Sequence, residues 1–202
     1  GGGGGLGGKE KRDRVGCRNF EDFSEDPDRA GKMGAAVGRG IQKNGTGACL
    51  KHYCANNQEY YRMSISAEVD ERTLREIYLA PFEIAVKEGG ARTVMCAYNR
   101  LNGVYGSENP LTLNEILRGE WGFKGLTMTD WGATCDRVKG AAAGMDVEMP
   151  SSGGMNDKKL DKAVQDGELD ARVLDVIADR VLHLALTFPK RTGCGTAGEA
   201  IS

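Results

Sequence analysis

The sequence predicts an α/β fold, and three observations carry that prediction. Ala48-Cys49-Leu50, Thr93-Val94-Met95-Cys96-Ala97 and Gly125-Leu126-Thr127-Met128-Thr129 are short apolar runs that do not alternate cleanly with polar residues. That is the pattern of strands buried on both faces of a parallel sheet. Helical patterns separate the runs, and a strand–helix alternation is the order of α/β architecture. The third observation is the chemistry at the end of each run: Lys51-His52, then Tyr98-Asn99-Arg100, then Asp130-Trp131. Polar, reactive side chains at the carboxyl ends of successive parallel strands form the active-site face of a (β/α)8 TIM-like barrel. Such a barrel takes about 250 residues. The 202-residue chain is therefore expected to be an incomplete barrel, lacking the first βα unit or units.

Residues 1–15 read as a low-complexity leader without fold content, since seven of the first eight are glycine and such composition builds no core. Residues 16–187 read as the partial barrel domain and 188–202 as a tail. Asp70 is placed to cap a helix running to about Lys87, with Val69 and Leu74 as its hydrophobic staple. Leu74, Ile77, Tyr78, Phe82 and Val86 form its apolar stripe, Pro81 should kink or divide it, and Gly89-Gly90 ends it. Thr112-Leu113-Asn114-Glu115 reads as a capping box opening a shorter helix that closes near Gly119. A helix pair is expected over 157–166 and 170–186, broken at Gly167 and followed by Pro189.

The 27 basic and 29 acidic residues leave a formal charge of −2. Neither a nucleic-acid footprint nor a basic membrane-binding face is expected. No apolar run approaches the roughly 18 residues of a membrane span, and GGGGGLGGKEKRDR lacks the apolar stretch of a signal peptide. Six scattered cysteines form no CxxC pair, which reads as reduced thiols in a cytoplasmic protein, several of them core filler. With two histidines, His52 and His183, no zinc site is expected, and no metal or cofactor is assigned. Asn44-Gly45-Thr46 is a lone sequon and weak evidence for secretion. Gly193-Cys194-Gly195-Thr196-Ala197-Gly198 comes after no strand and is not read as a dinucleotide loop.

Taken singly, the strand-end residues have ordinary readings. Asp130 can cap the next helix, Lys51-His52 can be a solvated turn, Tyr98 can be a core tyrosine, and Arg18 and Arg62 can be surface charges. A carboxylate ending an apolar strand is nevertheless costly to desolvate unless it is paired or hydrogen-bonded. Trp131 beside it offers an apolar face suited to a sugar ring.

Eight blocks in order carry a resemblance: Arg18-Asn19-Phe20-Glu21-Asp22-Phe23-Ser24-Glu25-Asp26-Pro27, Leu50-Lys51-His52-Tyr53, Asn56-Asn57-Gln58-Glu59, Leu74-Arg75-Glu76-Ile77-Tyr78-Leu79, Ala97-Tyr98-Asn99-Arg100-Leu101-Asn102-Gly103, Glu120-Trp121-Gly122-Phe123, Met128-Thr129-Asp130-Trp131-Gly132-Ala133 and Gly144-Met145-Asp146-Val147-Glu148-Met149-Pro150. From about residue 16 to 187 the chain resembles family 3 glycoside hydrolases, especially their β-glucosidases. The resemblance implies that Asp130 is the nucleophile of a retaining reaction on β-linked glucosides. Arg18, Lys51, His52 and Arg62 would hold the hydroxyls of the −1 sugar. Met95 and Tyr98 would line that subsite, Tyr98 would orient Asp130, and Trp131 would form part of the wall. A small carbohydrate is then the expected partner, with no cofactor. The N-acetylglucosaminidases of the family carry a Lys-His-Phe-Pro-Gly-His-Gly loop with an acid/base histidine. Here Lys51-His52-Tyr53-Cys54-Ala55-Asn56-Asn57 has no second histidine, which resembles the glucosidase branch.

The chain departs from the family in Cys17, where glycine is usual, and in the barrel strands expected before Arg18. In the glucosidases the acid/base glutamate comes from a following α/β sandwich domain, which this chain is expected to lack. General acid assistance contributes about 10²–10⁴-fold, so the chain alone is expected to be a poor hydrolase. Glu59, Glu120 and Glu148 are the candidate substitutes for that acid, and Glu120 and Glu148 read as structural. An opened barrel also exposes strand edges and apolar surface, which favours self-association. Two other functions compete with hydrolysis: sugar binding without turnover, and a Schiff-base lyase using Lys51.

Overall fold

The computed structural model describes residues 5–7 and 21–188. Its elements, in chain order, begin with strand β1 (Gly5–Gly7) and helix α1 (Pro27–Lys43). Strand β2 (Cys49–Tyr53) and the short β3 (Ser66–Ala67) follow. A continuous helical run comprises α2 (Glu71–Thr73), a π-helical stretch (Leu74–Leu79) and α3 (Ala80–Lys87). Then come β4 (Thr93–Cys96), the hairpin β5 (Arg100–Leu101) and β6 (Val104–Tyr105), a second π-helix (Leu111–Glu120) and β7 (Leu126–Met128). Helices α4 (Arg137–Ala143), α5 (Met155–Gln165) and α6 (Ala171–Thr187) come last among the described residues.

The fold class is α/β. The main sheet is wholly parallel in the order β1-β2-β4-β7, and a parallel bridge from Met128 to Val147 extends it by one more segment. The three expected strands are β2, β4 and β7. A smaller sheet, β3-β5-β6, lies outside it.

Gly5–Gly7 corrects the expectation of a leader without fold content, because Leu6 pairs with Leu50 in parallel register. A strand edge presents unpaired N–H and C=O groups whatever the neighbouring side chains are. Backbone pairing therefore recruits a glycine tract that side-chain patterning cannot detect.

Asp26 accepts from the Arg29 N–H at 2.8 Å, with Pro27 opening α1. This helix is not among the expected elements, and its larger apolar residues Met33 and Val37 are exposed. Its buried face is Ala30, Gly31, Gly34, Ala35 and Gly38, packed against α3. A Cβ on Gly31 would stand 2.7 Å from Ile84 Cβ, so the helix contact is made by the absence of side chains. Asp70 caps the next run as expected, accepting from Thr73 N–H at 3.0 Å. The expected stripe is corrected, because the π-helical turn adds a residue per turn. Leu79, rather than Ile77 or Tyr78, is buried after Leu74. The return to α-helix at Ala80 falls just before Pro81, which has no N–H to donate. The Thr112 capping box is also corrected: Thr112 lies inside its helix, and Asn109 Oδ1 accepts from the Leu111 and Thr112 N–H groups.

The core joins Leu50, Tyr53, Phe82, Val94, Leu113 and Trp121. Tyr53 meets Phe82 and Trp121 edge-on and donates its hydroxyl to the Thr112 carbonyl at 2.8 Å. A second anchor is ionic. Buried Asp146 accepts from Arg118 and Arg180 at 2.7 Å each and from the Thr127 N–H at 2.8 Å. Arg180 thereby ties α6, which has no buried residue of its own, to the end of the sheet.

Candidate active site

Parallel pairing gathers the carboxyl ends of β2, β4 and β7 on one edge, which is where such sheets place their reactive groups. His52 lies at the end of β2, Tyr98 comes after β4 and Asp130 after β7. Gly132, at φ +76°, allows the tight turn after Asp130 that leaves Trp131 56% exposed. Its N–H donates to the Met149 carbonyl at 2.7 Å.

Asp130 is half-buried. Its Oδ2 lies 3.2 Å from Nε2 of buried His52, and its Oδ1 accepts from the Trp131 N–H at 2.7 Å. Burial works to raise the Asp130 pKa. Hydrogen bonds from His52, the Trp131 N–H and Tyr98, together with the His52 charge, outweigh it, and the carboxyl titrates below its ordinary value. The group is thus an anion at neutral pH, held by donors on both oxygens.

Tyr98 donates to the Trp131 carbonyl at 2.7 Å. The Arg62 guanidinium lies over its ring, 4.6 Å from the centroid, and pairs with Glu59 at 2.8 Å. Lys51 Nζ is ion-paired with Glu21 at 2.7 Å in a largely buried site. Burial raises the pKa of the neighbouring Cys49 thiol. Met95 is half-buried and pairs in register with Met128.

His52, Tyr98, Arg62, Trp131 and Asp130 are therefore brought together, whereas the Lys51 ammonium is engaged by Glu21. Arg18 lies outside the described residues. Sequence reasoning does not single out Glu21 as the partner of Lys51, although it stands inside the Arg18 block. Glu120 forms a two-pronged ion pair with Arg75 at 2.7 and 2.9 Å. Glu148 accepts from the Ser152 N–H at 2.9 Å and from Asn156. Among the described residues no group of three or more His, Cys, Asp or Glu side chains is arranged to hold a metal ion, and no helix is long and apolar enough to cross a membrane. Cys49, Cys54, Cys96 and Cys135 are free thiols, and Cys17 and Cys194 lie outside the described residues.

Chemically, the edge offers an ionised carboxylate held by an imidazole and a backbone N–H, beside an exposed indole and a tyrosine ring covered by a guanidinium. Such an arrangement suits attack on, or charge stabilisation at, an electrophilic carbon of a polyhydroxylated ligand.

The sequence matches the family model described as glycosyl hydrolase family 3 N terminal domain over residues 10–184, beginning inside the segment read as a leader. It is 51% identical over 180 residues to thermostable beta-glucosidase B of Acetivibrio thermocellus, covering 89% of this chain and 24% of that protein. It is 47% identical over 176 residues to beta-glucosidase B of Emericella nidulans, covering 86% of this chain and 21% of that protein. Among solved structures it is similar to beta-glucosidase 3B from Thermotoga neapolitana in complex with α-D-glucose. The TM-score is 0.88 at 40% identity, over 91% of this chain and 27% of that one. The chain spans about a quarter of the length of these relatives.

Proposed function

The chain belongs to glycosyl hydrolase family 3, and from that membership we propose that it is the nucleophile-bearing part of a retaining, β-glucosidase-type glycoside hydrolase. Residues 16–187 are a partial (β/α)8 barrel, and the edge that carries Asp130 is its active-site face. An Asp130 carboxylate oxygen attacks the anomeric carbon of a β-glucoside. A glycosyl ester forms as the glycosidic bond breaks, and the leaving oxygen takes a proton from a general acid. Water then hydrolyses the ester.

Arg18, Lys51, His52 and Arg62 hold the sugar hydroxyls, in the stronger, charge-assisted class of hydrogen bond where the donor is cationic. Met95 and Tyr98 line the −1 subsite, and Trp131 forms part of its wall. Retention needs two carboxyls roughly 5–5.5 Å apart. The resemblance to the family's glucosidases implies that the acid comes from a segment outside this chain, and the engagement of Glu59, Glu120 and Glu148 with neighbouring side chains or backbone groups agrees with it. The short span relative to the relatives supports that assignment.

The observation that carries the reading is the contact of Asp130 Oδ2 with His52 Nε2 at 3.2 Å. It unites two strand ends at a carboxylate kept ionised. A 2-deoxy-2-fluoro-β-glucosyl fluoride, whose leaving group needs no acid, tests it. Peptide mass spectrometry should find one glycosyl adduct on the Asp130 peptide and none in Asp130→Asn. A folded chain that takes no adduct overturns the nucleophile. If glucose still binds to Asp130→Asn and no adduct ever forms, sugar binding without turnover is the better reading, favoured by the engaged state of the other three carboxylates.

A further inference from the structure

A cavity of about 340 Å³, within the size range of small-molecule sites, opens at the amino end of β7. Lys124 precedes that strand and Asp130 follows it, so the cavity and the strand-end cluster lie at opposite ends of β7. One wall is the side of α6 that carries Val176, Asp179, Arg180 and His183, and Arg118, Phe123 and Lys124 form the other. The α6 residues recur at i, i+3, i+4 and i+7, the spacing that puts side chains on one helix face.

The charges around this cavity do not cancel. Arg118 and Arg180 share the single buried carboxylate of Asp146, at 2.7 Å each, which leaves one positive charge over. Lys124 adds another, and among the described residues its ammonium takes part in no ion pair. Asp179 returns one negative charge, so an excess of one positive charge remains before the His183 imidazole is counted.

The donors are not used up either. The Arg118 side chain is only 10% exposed, and its Nε is enclosed without a hydrogen-bond partner. A buried donor lacking an acceptor is costly, and a guanidinium short of counter-charge more so. Arg180 gives Nη1 to Asp146, which leaves the rest of its fork for the cavity.

Guanidinium forks beside an ammonium suit phosphate, whose oxygens accept several charge-assisted hydrogen bonds at once. Phe123 and Val176 add an apolar strip able to receive an organic substituent.

We propose that the cavity between α6 and the amino end of β7 binds a phosphate group, free or on a small organic monoester. The site takes no part in the proposed hydrolysis at Asp130.

The test is calorimetric titration of the full chain with inorganic phosphate and with phenyl phosphate. Ionic strength is held constant, because salt screens exposed charges. Lys124→Gln should weaken binding about fivefold, the upper scale of one exposed charge contact. Asp179→Asn, which removes the opposing carboxylate, should tighten it by about two- to fivefold on the same scale. That gain cannot arise from misfolding. Tighter binding of phenyl phosphate supports the site and assigns the apolar strip to a monoester, whereas equal binding supports it as a site for free phosphate. No binding of either ligand to the folded chain, or affinities that ignore both substitutions, overturn the site. The glycosidase reading stands in either case, since its own test is labelling of Asp130.

Discussion

His52 Nε2 and Asp130 Oδ2 stand 3.2 Å apart although their strands, β2 and β7, do not touch: β4 lies between them. The contact therefore bridges a strand, and Tyr98, just beyond the end of that middle strand, donates to the Trp131 carbonyl beside it. Removing the imidazole should leave the burial of Asp130 in place and take away two of the influences that hold its pKa down.

His52→Leu is thus expected to raise the Asp130 pKa. The acid limb of the pH profile for inactivation by the fluoroglucoside should move to higher pH, with slower labelling at neutral pH. Stability should shift in the same sense. With a folded pKa below the unfolded value of about 3.9, ionisation of Asp130 stabilises the fold above that value. This contribution is lost as pH falls through the folded pKa. In His52→Leu the loss should begin at higher pH, read by acid titration of circular dichroism. Coincident acid transitions in the two proteins would contradict the coupling.

Asp146→Asn should destabilise the chain by about 3–5 kcal/mol, because it strands the Arg118 and Arg180 guanidinium groups in a buried site. Urea unfolding measures this. Arg180→Met should cost less, since its side chain is partly exposed, and should loosen α6 selectively in amide hydrogen exchange.

Two glycines should respond in opposite directions to alanine. A Cβ on Gly125 would lie 2.1 Å from the Arg92 carbonyl oxygen, which also receives the Leu126 N–H. Gly125→Ala should cost about 3 kcal/mol by forcing the start of β7 away from its neighbour. Gly40, inside α1, has open space around it, and Gly40→Ala should stabilise by about 0.5–1 kcal/mol. Thermal melts of the two variants should bracket the parent.

Burial pushes the Cys54 thiol up to about 12 and raises Cys96 as well, so neither supplies thiolate near pH 8. Cys135 is exposed. Iodoacetamide followed by peptide mapping should label Cys135 in the native chain and reach Cys54 and Cys96 only after denaturation. Rapid native labelling of Cys54 would contradict its placement in the core.

Helix α6 leaves Val176, Val181, Leu182 and Leu186 exposed, an apolar surface of the kind that drives association. The isolated chain is expected to self-associate at micromolar concentration, and Leu182→Lys with Leu186→Lys to shift light scattering towards the monomer. A parent chain that is monomeric throughout would remove the proposal.

Much of the fold is legible because its signals are local. Apolar runs mark β2, β4 and β7, and Asp70 and Asp170 mark two helix starts through side chains that cap nearby N–H groups. Helix α1 escapes a reading by stripes although Asp26-Pro27 is a good start signal, because its buried face is small residues that leave no hydrophobic pattern. The stripe after Leu74 is displaced because a π-helical turn changes the period, and no residue type announces that change.

The sequence by itself determined the α/β alternation and the residue types at each strand end, since both are written in periodicities of a few residues. It also carried the family resemblance and the choice of Asp130. Only the tertiary structure decided which ends share an edge, that His52 and Asp130 meet across β4, that Glu21 engages Lys51, and that Gly5–Gly7 joins the sheet. Those relations depend on strand order and backbone pairing. Backbone N–H and C=O groups are the same at every residue but proline, so that pairing leaves no mark in the side chains.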